Sequence, residues 1–266
     1  MLYGFTKALK RMLADLQPDY AAVIMDGGLP KERLAVQQDY KANRSETPPE
    51  LVQQLPFLER LVPALGISHL MVEGEEADDV IASYALAVQQ NGPDVVIATN
   101  DKDIMQMVNS RTLIYQPGSE GFALLDGAGV EEKWGVPPHL VGAVLTLTGD
   151  SVDNIPGVPG FGPKTAANLI RQFGSVDALM ANLSQVKNDK QRLALEQSSE
   201  LITRNRTMVG LRTGLTLPKP WQDLKILPDL PAQVKLFQEL EFKTFTREAQ
   251  ESLTKGAKPI SQRELF

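Results

Sequence analysis

The chain has 266 residues, a formal net charge of −6 and an ordinary apolar content, enough for one large or two modest globular domains with ample core. It contains no cysteine, which excludes a disulfide frame and thiolate metal sites, and no apolar run approaches the ~20 residues of a membrane span. The lack of cysteine suits a reducing, cytoplasmic setting, while the acidic balance argues against nucleic acid unless the acids are gathered at a metal site.

Residues 1–16 place Leu2, Phe5, Leu9, Met12, Leu13 and Leu16 at the spacing of an amphipathic helix, without the compact apolar core of a signal peptide. Gln17-Pro18 ends it, because the residue before proline disfavours helical backbone. Ala21–Met25 then reads as a short buried parallel strand, ending at Asp26-Gly27-Gly28. Asp26 has an ordinary explanation as a turn residue.

Residues 29–50 are polar and carry Lys31, Arg33, Lys41 and Arg44. Lys41 and Arg44 are three apart, on one face if the segment is helical. That face is either a solvated surface or a phosphate-contacting segment, with Tyr40 available to stack on a base. Thr47-Pro48-Pro49-Glu50 caps a predicted helix over 49–64. An apolar run at 69–72 then leads into Glu73, Glu75, Glu76, Asp78 and Asp79, five carboxylates within seven residues, and a helix to about residue 90. Acids near a helix N-terminus gain about 0.3–1 kcal/mol each from the helix dipole, which explains one or two of them. Five repel one another unless something cationic sits among them.

Asp94–Ala98 is a further buried strand, ending in Thr99-Asn100-Asp101-Lys102-Asp103; Asp101 alone would pass for a helix cap. Residues 111–115 and 121–125 look like strands near a sheet edge. Beyond residue 130 the pattern turns helical. A helix ends at Thr148-Gly149, and a glycine-rich stretch, Asp150 to Thr165, opens a helix at about 164–172. It differs from the Walker phosphate loop, since Pro163 intervenes before Lys164 and no strand precedes it. Its backbone amides suit a phosphate at a helix N-terminus. Helices over 176–186, 189–204 and 232–252 follow, with a proline-punctuated segment at 213–232 and a polar tail.

Strands alternating with helices predict an α/β fold: a mostly parallel sheet with helices on both faces. Ligands bind such sheets outside the carboxyl ends of the strands. Asp26, then Glu76, Asp78 and Asp79, then Asp101 and Asp103 all follow predicted strands, which puts them on one edge. Asp150 and Asp153 bring the candidates to eight. His69 and His139 read as structural, so the donor set is all oxygen, which disfavours zinc and fits Mg²⁺ or Mn²⁺. Two such ions about 4 Å apart would stabilise both oxygens of a phosphodiester displacement. Neutralising eight acids would leave the rest of the chain slightly basic, which removes the charge objection to DNA.

Asp26, Tyr40–Arg44, Glu76-Ala77-Asp78-Asp79, Asp101-Lys102-Asp103 and the run Gly149–Ala166 occur in the order of a known family. The chain resembles the 5′→3′ exonuclease domain of bacterial DNA polymerase I, in the flap-endonuclease superfamily, up to about residue 250. The resemblance implies a PIN-like nuclease core over 1–130 with a helical arch at about 29–50. It also implies a helical DNA-binding module over 131–252, with a helix–three-turn–helix at about 140–172. It implies cleavage at 5′ ends, nicks and flaps with two divalent metals, in replication and repair, including removal of RNA primers from RNA–DNA hybrids. Asp26, Glu76 and Asp78 would serve one metal, and Asp101, Asp103, Asp150 and Asp153 the other, with Asp79 near both. Lys41, Arg44 and Tyr40 would take the single strand, with Lys41 and Arg44 on the scissile phosphate. Gly160, Gly162, Lys164 and Thr165 would grip the duplex, with a K⁺ held by backbone carbonyls.

Two features depart from the family pattern. The family begins with a strand carrying an aspartate, whereas here Tyr3-Gly4-Phe5 opens the chain; Ala143 also stands where relatives often carry an acid. The first departure implies an N-terminally truncated fragment or a catalytically impaired DNA-binding paralogue. A small-molecule phosphohydrolase is a third reading, one that needs neither the Tyr40–Arg44 segment nor the glycine-rich hairpin. The tail over 253–266 is expected to be a flexible linker. Its end, Gln262-Arg263-Glu264-Leu265-Phe266, resembles the short sliding-clamp-binding peptides of bacterial replication proteins, with Gln262, Leu265 and Phe266 as the contact residues. An ordinary solvated tail is the alternative.

Overall fold

A computed structural model describes residues 1–28, 30–118 and 121–254. In chain order the elements are α1 (Leu2–Leu16), β1 (Ala22–Met25), α2 (Lys31–Val36), α3 (Pro49–Val52), α4 (Leu58–Ala64), β2 (Ser68–Met71), α5 (Ala77–Asn91), β3 (Val95–Ile97), β4 (Thr112–Pro117) and β5 (Phe122–Leu125). Among the described residues these α-helices follow: α6 (Gly127–Trp134), α7 (Val141–Thr148), α8 (Pro163–Phe173), α9 (Val176–Ala181), α10 (Asp189–Gln197), α11 (Ser199–Val209), α12 (Leu230–Glu239) and α13 (Lys243–Thr254). This is the expected α/β fold, strand–helix alternation first and helices afterwards. Among the described residues, no helix is long and apolar enough to cross a membrane.

The chain forms two compact units, each assembled from separated segments. The first comprises Met1–Asp26, Glu46–Val72 and the chain from Leu217. Its strands β1 and β2 pair in parallel, with Ala22 opposite Ser68 and Met25 opposite Met71. Its core joins Leu2 and Leu9 of α1, Leu61 and Val62 of α4, Phe237 of α12 and Phe245 of α13. Tyr3 stacks on Phe245 at 4.9 Å between ring centroids. Helix α1 stops at Gln17, whose φ of 46° closes the last turn immediately before Pro18.

The second unit comprises Gly27–Ser45 and Glu73–Thr216. Its sheet runs β3–β4–β5, parallel between β3 and β4 and antiparallel between β4 and β5. The parallel pairings expected from the sequence are present, but the ladders form two sheets. The final antiparallel pair is a hairpin, which needs no crossover helix. The core of this unit gathers Ile97, Ile104, Ile114, Val130, Leu145, Leu147, Ile170 and Leu195.

Several predicted helices are interrupted. The helix expected over 49–64 splits around Pro56, which sits in a 3-10 turn at Leu55–Phe57 and withholds the amide that a continuous helix needs. The stretch at 189–204 divides at Ser198 and continues to Val209. The last helix divides after Glu239, where Glu241 adopts a φ of 56°. Residues 38–44, expected to be helical, form turns; Lys41 has a φ of 57°, which a right-handed helix excludes.

Candidate metal and nucleic-acid site

Seven of the eight predicted acids belong to the second unit, where Arg33, Lys41 and Arg44 join Glu76, Asp79 and Asp153 in one ion-pair network and Lys102 pairs separately with Asp150. Asp26 is exposed and follows β1, in the first unit. Glu76 precedes α5 and Asp78 and Asp79 fill its first turn, so chain direction and helix dipole both place acids there. Glu76 is 6% exposed and Asp79 is 0% exposed, so each requires a partner.

Arg33 of α2 supplies much of that partnership. Its guanidinium donates to Glu76 and to both oxygens of Asp79, at 2.5 and 3.0 Å for Asp79. It also donates to the backbone carbonyls of Met208 (3.1 Å) and Gly210 (3.0 Å), at the end of α11. Burial works against its charge, but the hydrogen bond and attraction from Asp79, with Glu76 adding, outweigh it and raise the arginine further above its usual range. The Arg212 amide donates to Asp79 Oδ1 at 2.9 Å.

The turn at 38–44 delivers three more groups. Tyr40 donates its hydroxyl to Glu76 (3.2 Å) or Asp153 (3.2 Å), and Lys41 donates to Glu76 and lies 3.8 Å from Asp153. Arg44 donates to Asp153 through Nε at 3.1 Å and through a second nitrogen. The turn is pinned to the 150–154 loop: the Lys41 amide donates to the Asp153 carbonyl at 3.1 Å, and Asn43 to the Ser151 carbonyl at 2.7 Å. The sequence suggested Tyr40 as a stacking surface. Instead it is 8% exposed and sits in the core, with its phenol pushed upward by burial and by the charges of Glu76 and Asp153. An aromatic ring with one polar tip fits an apolar wall that ends in carboxylates.

Asp101, Asp103, Asp150 and Asp153 make the second group. Asp101 accepts from the Asp103 amide at 2.8 Å, which starts the 3-10 turn Asp103–Met107. Asp150 accepts from the Val152 amide at 2.9 Å and pairs with Lys102 at 3.0 Å. The loop is held by the backbone pair between Asp150 and Ile155 and by Gly157, where a Cβ would lie 2.1 Å from the Thr148 carbonyl oxygen. Asp103 is the odd member. Burial first, then Asp101 and Asp150, push its carboxyl up to about 8, with Lys102 pulling the other way. Its Oδ1 is shielded and has no hydrogen-bond partner.

An unsatisfied carboxylate oxygen beside three more acids is a donor set that suits a hard cation. Among the described residues, no three acidic side chains are gathered closely enough to hold one ion as they stand. Cationic side chains reach between them. Arg33 was the member missed by sequence reasoning. One signal was available: Asp79 stands beside Val80 on a core-facing helix turn, and a buried carboxylate implies a buried cation.

The hairpin residues lie apart from this network. Gly160 has a φ of 79° with open space around its Cα, and Gly162 precedes Pro163 at the start of α8. Lys164 is exposed and Thr165 half-buried in the first turn of α8. Gln262, Leu265 and Phe266 lie outside the described residues.

Residues 1–135 match the N-terminal resolvase-like domain of 5′-3′ exonucleases, and residues 136–231 match their C-terminal SAM fold. A 5′-3′ exonuclease of Aquifex aeolicus (strain VF5) is 35% identical over 266 residues, covering 100% of this chain and 89% of that protein. The DNA polymerase I of Rhizobium leguminosarum is 35% identical over 265 residues, which is 97% of this chain and 26% of that one. The DNA polymerase I of Bacillus caldotenax is 33% identical, over 98% of this chain and 30% of that one. The chain therefore spans about a quarter to a third of these polymerases' length. Among solved structures, the T5 D15 protein co-crystallised with metal ions aligns with a TM-score of 0.68 at 21% identity, over 94% of this chain and 91% of that one. The catalytic core of Rad2 in complex with DNA substrate aligns with a TM-score of 0.56 at 16% identity, over 90% and 78%.

Proposed function

This chain belongs to the 5′-3′ exonuclease family, and from that premise we propose that it is a divalent-metal-dependent 5′-3′ exonuclease and 5′-flap endonuclease acting on DNA. The observation that carries the reading is Asp103. It is an acid with an unsatisfied shielded oxygen, set among Asp101, Asp150 and Asp153. Such a group is costly unless a cation answers it. Magnesium or manganese, held by Glu76 and Asp78 and by Asp101, Asp103, Asp150 and Asp153, would supply positive charge to the phosphodiester and acidity to its attacking water. A metal role for Asp26, which belongs to the first unit, rests on the resemblance alone.

The chain's own residues then have separable tasks. Lys41 and Arg44, cations on the solvent side of the carboxylates, would be freed for the scissile phosphate where a metal ion neutralised those carboxylates. Tyr40 holds Glu76 and Asp153 in orientation. Gly160 and Gly162 present backbone to the duplex, where K⁺ would bind carbonyls, and Lys164 and Thr165 contact its phosphates. The substrates are 5′ flaps, nicks, 5′ ends and RNA primer–DNA hybrids, in a cytoplasmic setting. Recruitment to a sliding clamp rests on Gln262, Leu265 and Phe266; deletion of 262–266 with clamp binding intact sinks that part.

One observation favours a second reading, a DNA-binding paralogue that does not cut. Arg33, Lys41, Arg44 and Lys102 already neutralise the carboxylates. A 5′-flap cleavage assay with Mg²⁺ or Mn²⁺ separates the two. Cleavage by the wild type, lost in Asp101→Ala, supports the nuclease. DNA binding without cleavage in either metal overturns it.

A further inference from the structure

We propose that Arg33 is a positioning residue for the metal carboxylates, a permanent internal cation distinct from the exchangeable cations Lys41 and Arg44. The inference rests on the nuclease reading. All three guanidinium nitrogens of Arg33 are engaged: Nη1 with Glu76 and Asp79, Nη2 with Asp79 and the Gly210 carbonyl, and Nε with the Met208 carbonyl. One side chain therefore ties the start of α5 to the end of α11. Exposure separates the cations of the site. The Arg33 side chain is 7% exposed, against 24% for Lys41 and 44% for Arg44. Lys41 and Arg44 have a path to solvent and hence to a phosphate. Arg33 has none, and its removal would strand buried carboxylates.

The pairing also divides labour among the acids. Both oxygens of Asp79 are occupied, by Arg33 and by the Arg212 amide, and its main-chain carbonyl accepts from Ser83 Oγ at 2.8 Å. Asp79 therefore anchors Arg33 rather than offering a face to an incoming ion. Glu76 is different. Arg33 holds its Oε2, while its Oε1 meets the exchangeable Lys41. Arg33 thus fixes which oxygen of Glu76 is presented and in which direction. Lysine cannot substitute: a point charge on a flexible stem cannot reproduce a planar fork that bonds two carboxylates and two carbonyls.

The test uses the full chain with Arg33→Lys and, as a second variant retaining two donors, Arg33→Gln. Circular dichroism and thermal unfolding check the fold. Calorimetry with Mn²⁺ alone reads metal affinity, and steady-state kinetics on a 5′-flap duplex separate kcat from KM. Loss of a group that orients metal ligands typically weakens the metal by about tenfold or more, and Arg33→Lys should show this although it keeps the charge. The kcat should fall by about a hundredfold while KM for the flap moves little, as for misplaced reacting groups. A folded variant that binds Mn²⁺ like the wild type overturns the role of Arg33 alone. A wild-type chain that takes up no Mn²⁺ overturns the nuclease reading, and this one with it.

Discussion

The fold resists ionisation of Asp103, and the direction of the resulting pKa shift fixes a pH dependence. Its folded-state carboxyl titrates near 8, against 3.8 for an unperturbed group. Between those values the folded chain keeps a proton that the unfolded chain has released. Stability from this group is therefore full in acid and declines as pH rises through the window, the reverse of a salt-bridged aspartate. A divalent cation favours the ionised form, so its stabilisation should grow over the same range. The shift in melting temperature on adding Mn²⁺ is expected to be larger at pH 8 than at pH 5.5. Asp103→Asn should raise the metal-free melting temperature at pH 8 and abolish most of the metal-dependent shift. Equal Mn²⁺ shifts at both pH values would contradict the assignment. Lys41 gives a contrasting case. Lys41→Ala removes a competitor for Glu76, so Mn²⁺ should bind about two- to fivefold more tightly, the scale of a partly exposed ion pair, while flap cleavage slows. Weaker Mn²⁺ binding in that variant would mean that Lys41 supports the metal ligands instead of competing with them.

At the scale of elements, the acids up to Asp103 were legible because each group follows a strand or opens a helix, while Asp150 and Asp153 were legible from the end of a helix at Thr148-Gly149, positions that a period and a turn signal reveal. The buried cation that answers two of them was not. Arg33 is one basic residue in Lys-Glu-Arg-Leu-Ala-Val, and nothing in that run points to acids over forty positions later. Tyr40 was misplaced for a related reason: an aromatic beside Lys41 and Arg44 looks like a stacking surface until Glu76 and Asp153 are seen at its hydroxyl. The helix interruptions at Pro56, Ser198 and Glu241 escaped periodicity, which continues across a short break. The glycine-rich loop was legible as a loop, and its tightness is now specific. At Gly157 a methyl group would meet the Thr148 carbonyl at 2.1 Å. Gly157→Ala should cost about 2–4 kcal/mol in urea unfolding, the range of strained or clashing core substitutions, and should loosen the loop that carries Asp150 and Asp153. Lys164 is exposed in the first turn of α8, so replacing it carries no such structural cost. Lys164→Ala should leave unfolding unchanged, weaken duplex binding uniformly across sequences, and lower the slope of log affinity against log salt by about 1.

The division into two units was invisible in the sequence because it depends on pairings between distant segments. Lys10 meets Glu248 at 2.7 Å and Tyr3 stacks on Phe245, contacts that join the first helix to the last. Charge, by contrast, is a property of the whole chain that the sequence states outright, and its consequence is testable. A net charge of −6 repels a polyanion, and the acids of the second unit pair with Lys41 and Arg44, the cations proposed above to contact phosphate. Those cations cannot serve a carboxylate and a phosphate together. DNA binding should therefore require a divalent ion even when no cleavage occurs. Anisotropy with a labelled 5′-flap duplex at fixed ionic strength is expected to show affinity about tenfold or more higher in Ca²⁺ than in EDTA, a gain of at least ~1.4 kcal/mol. The same comparison with Asp103→Asn should shrink the difference, because one carboxylate of the proposed ion site has been removed without touching a proposed phosphate contact. Equal affinities in Ca²⁺ and EDTA for the wild type would show that Lys41 and Arg44 reach the DNA without first being released, and the exchange of cations proposed for this site would be wrong.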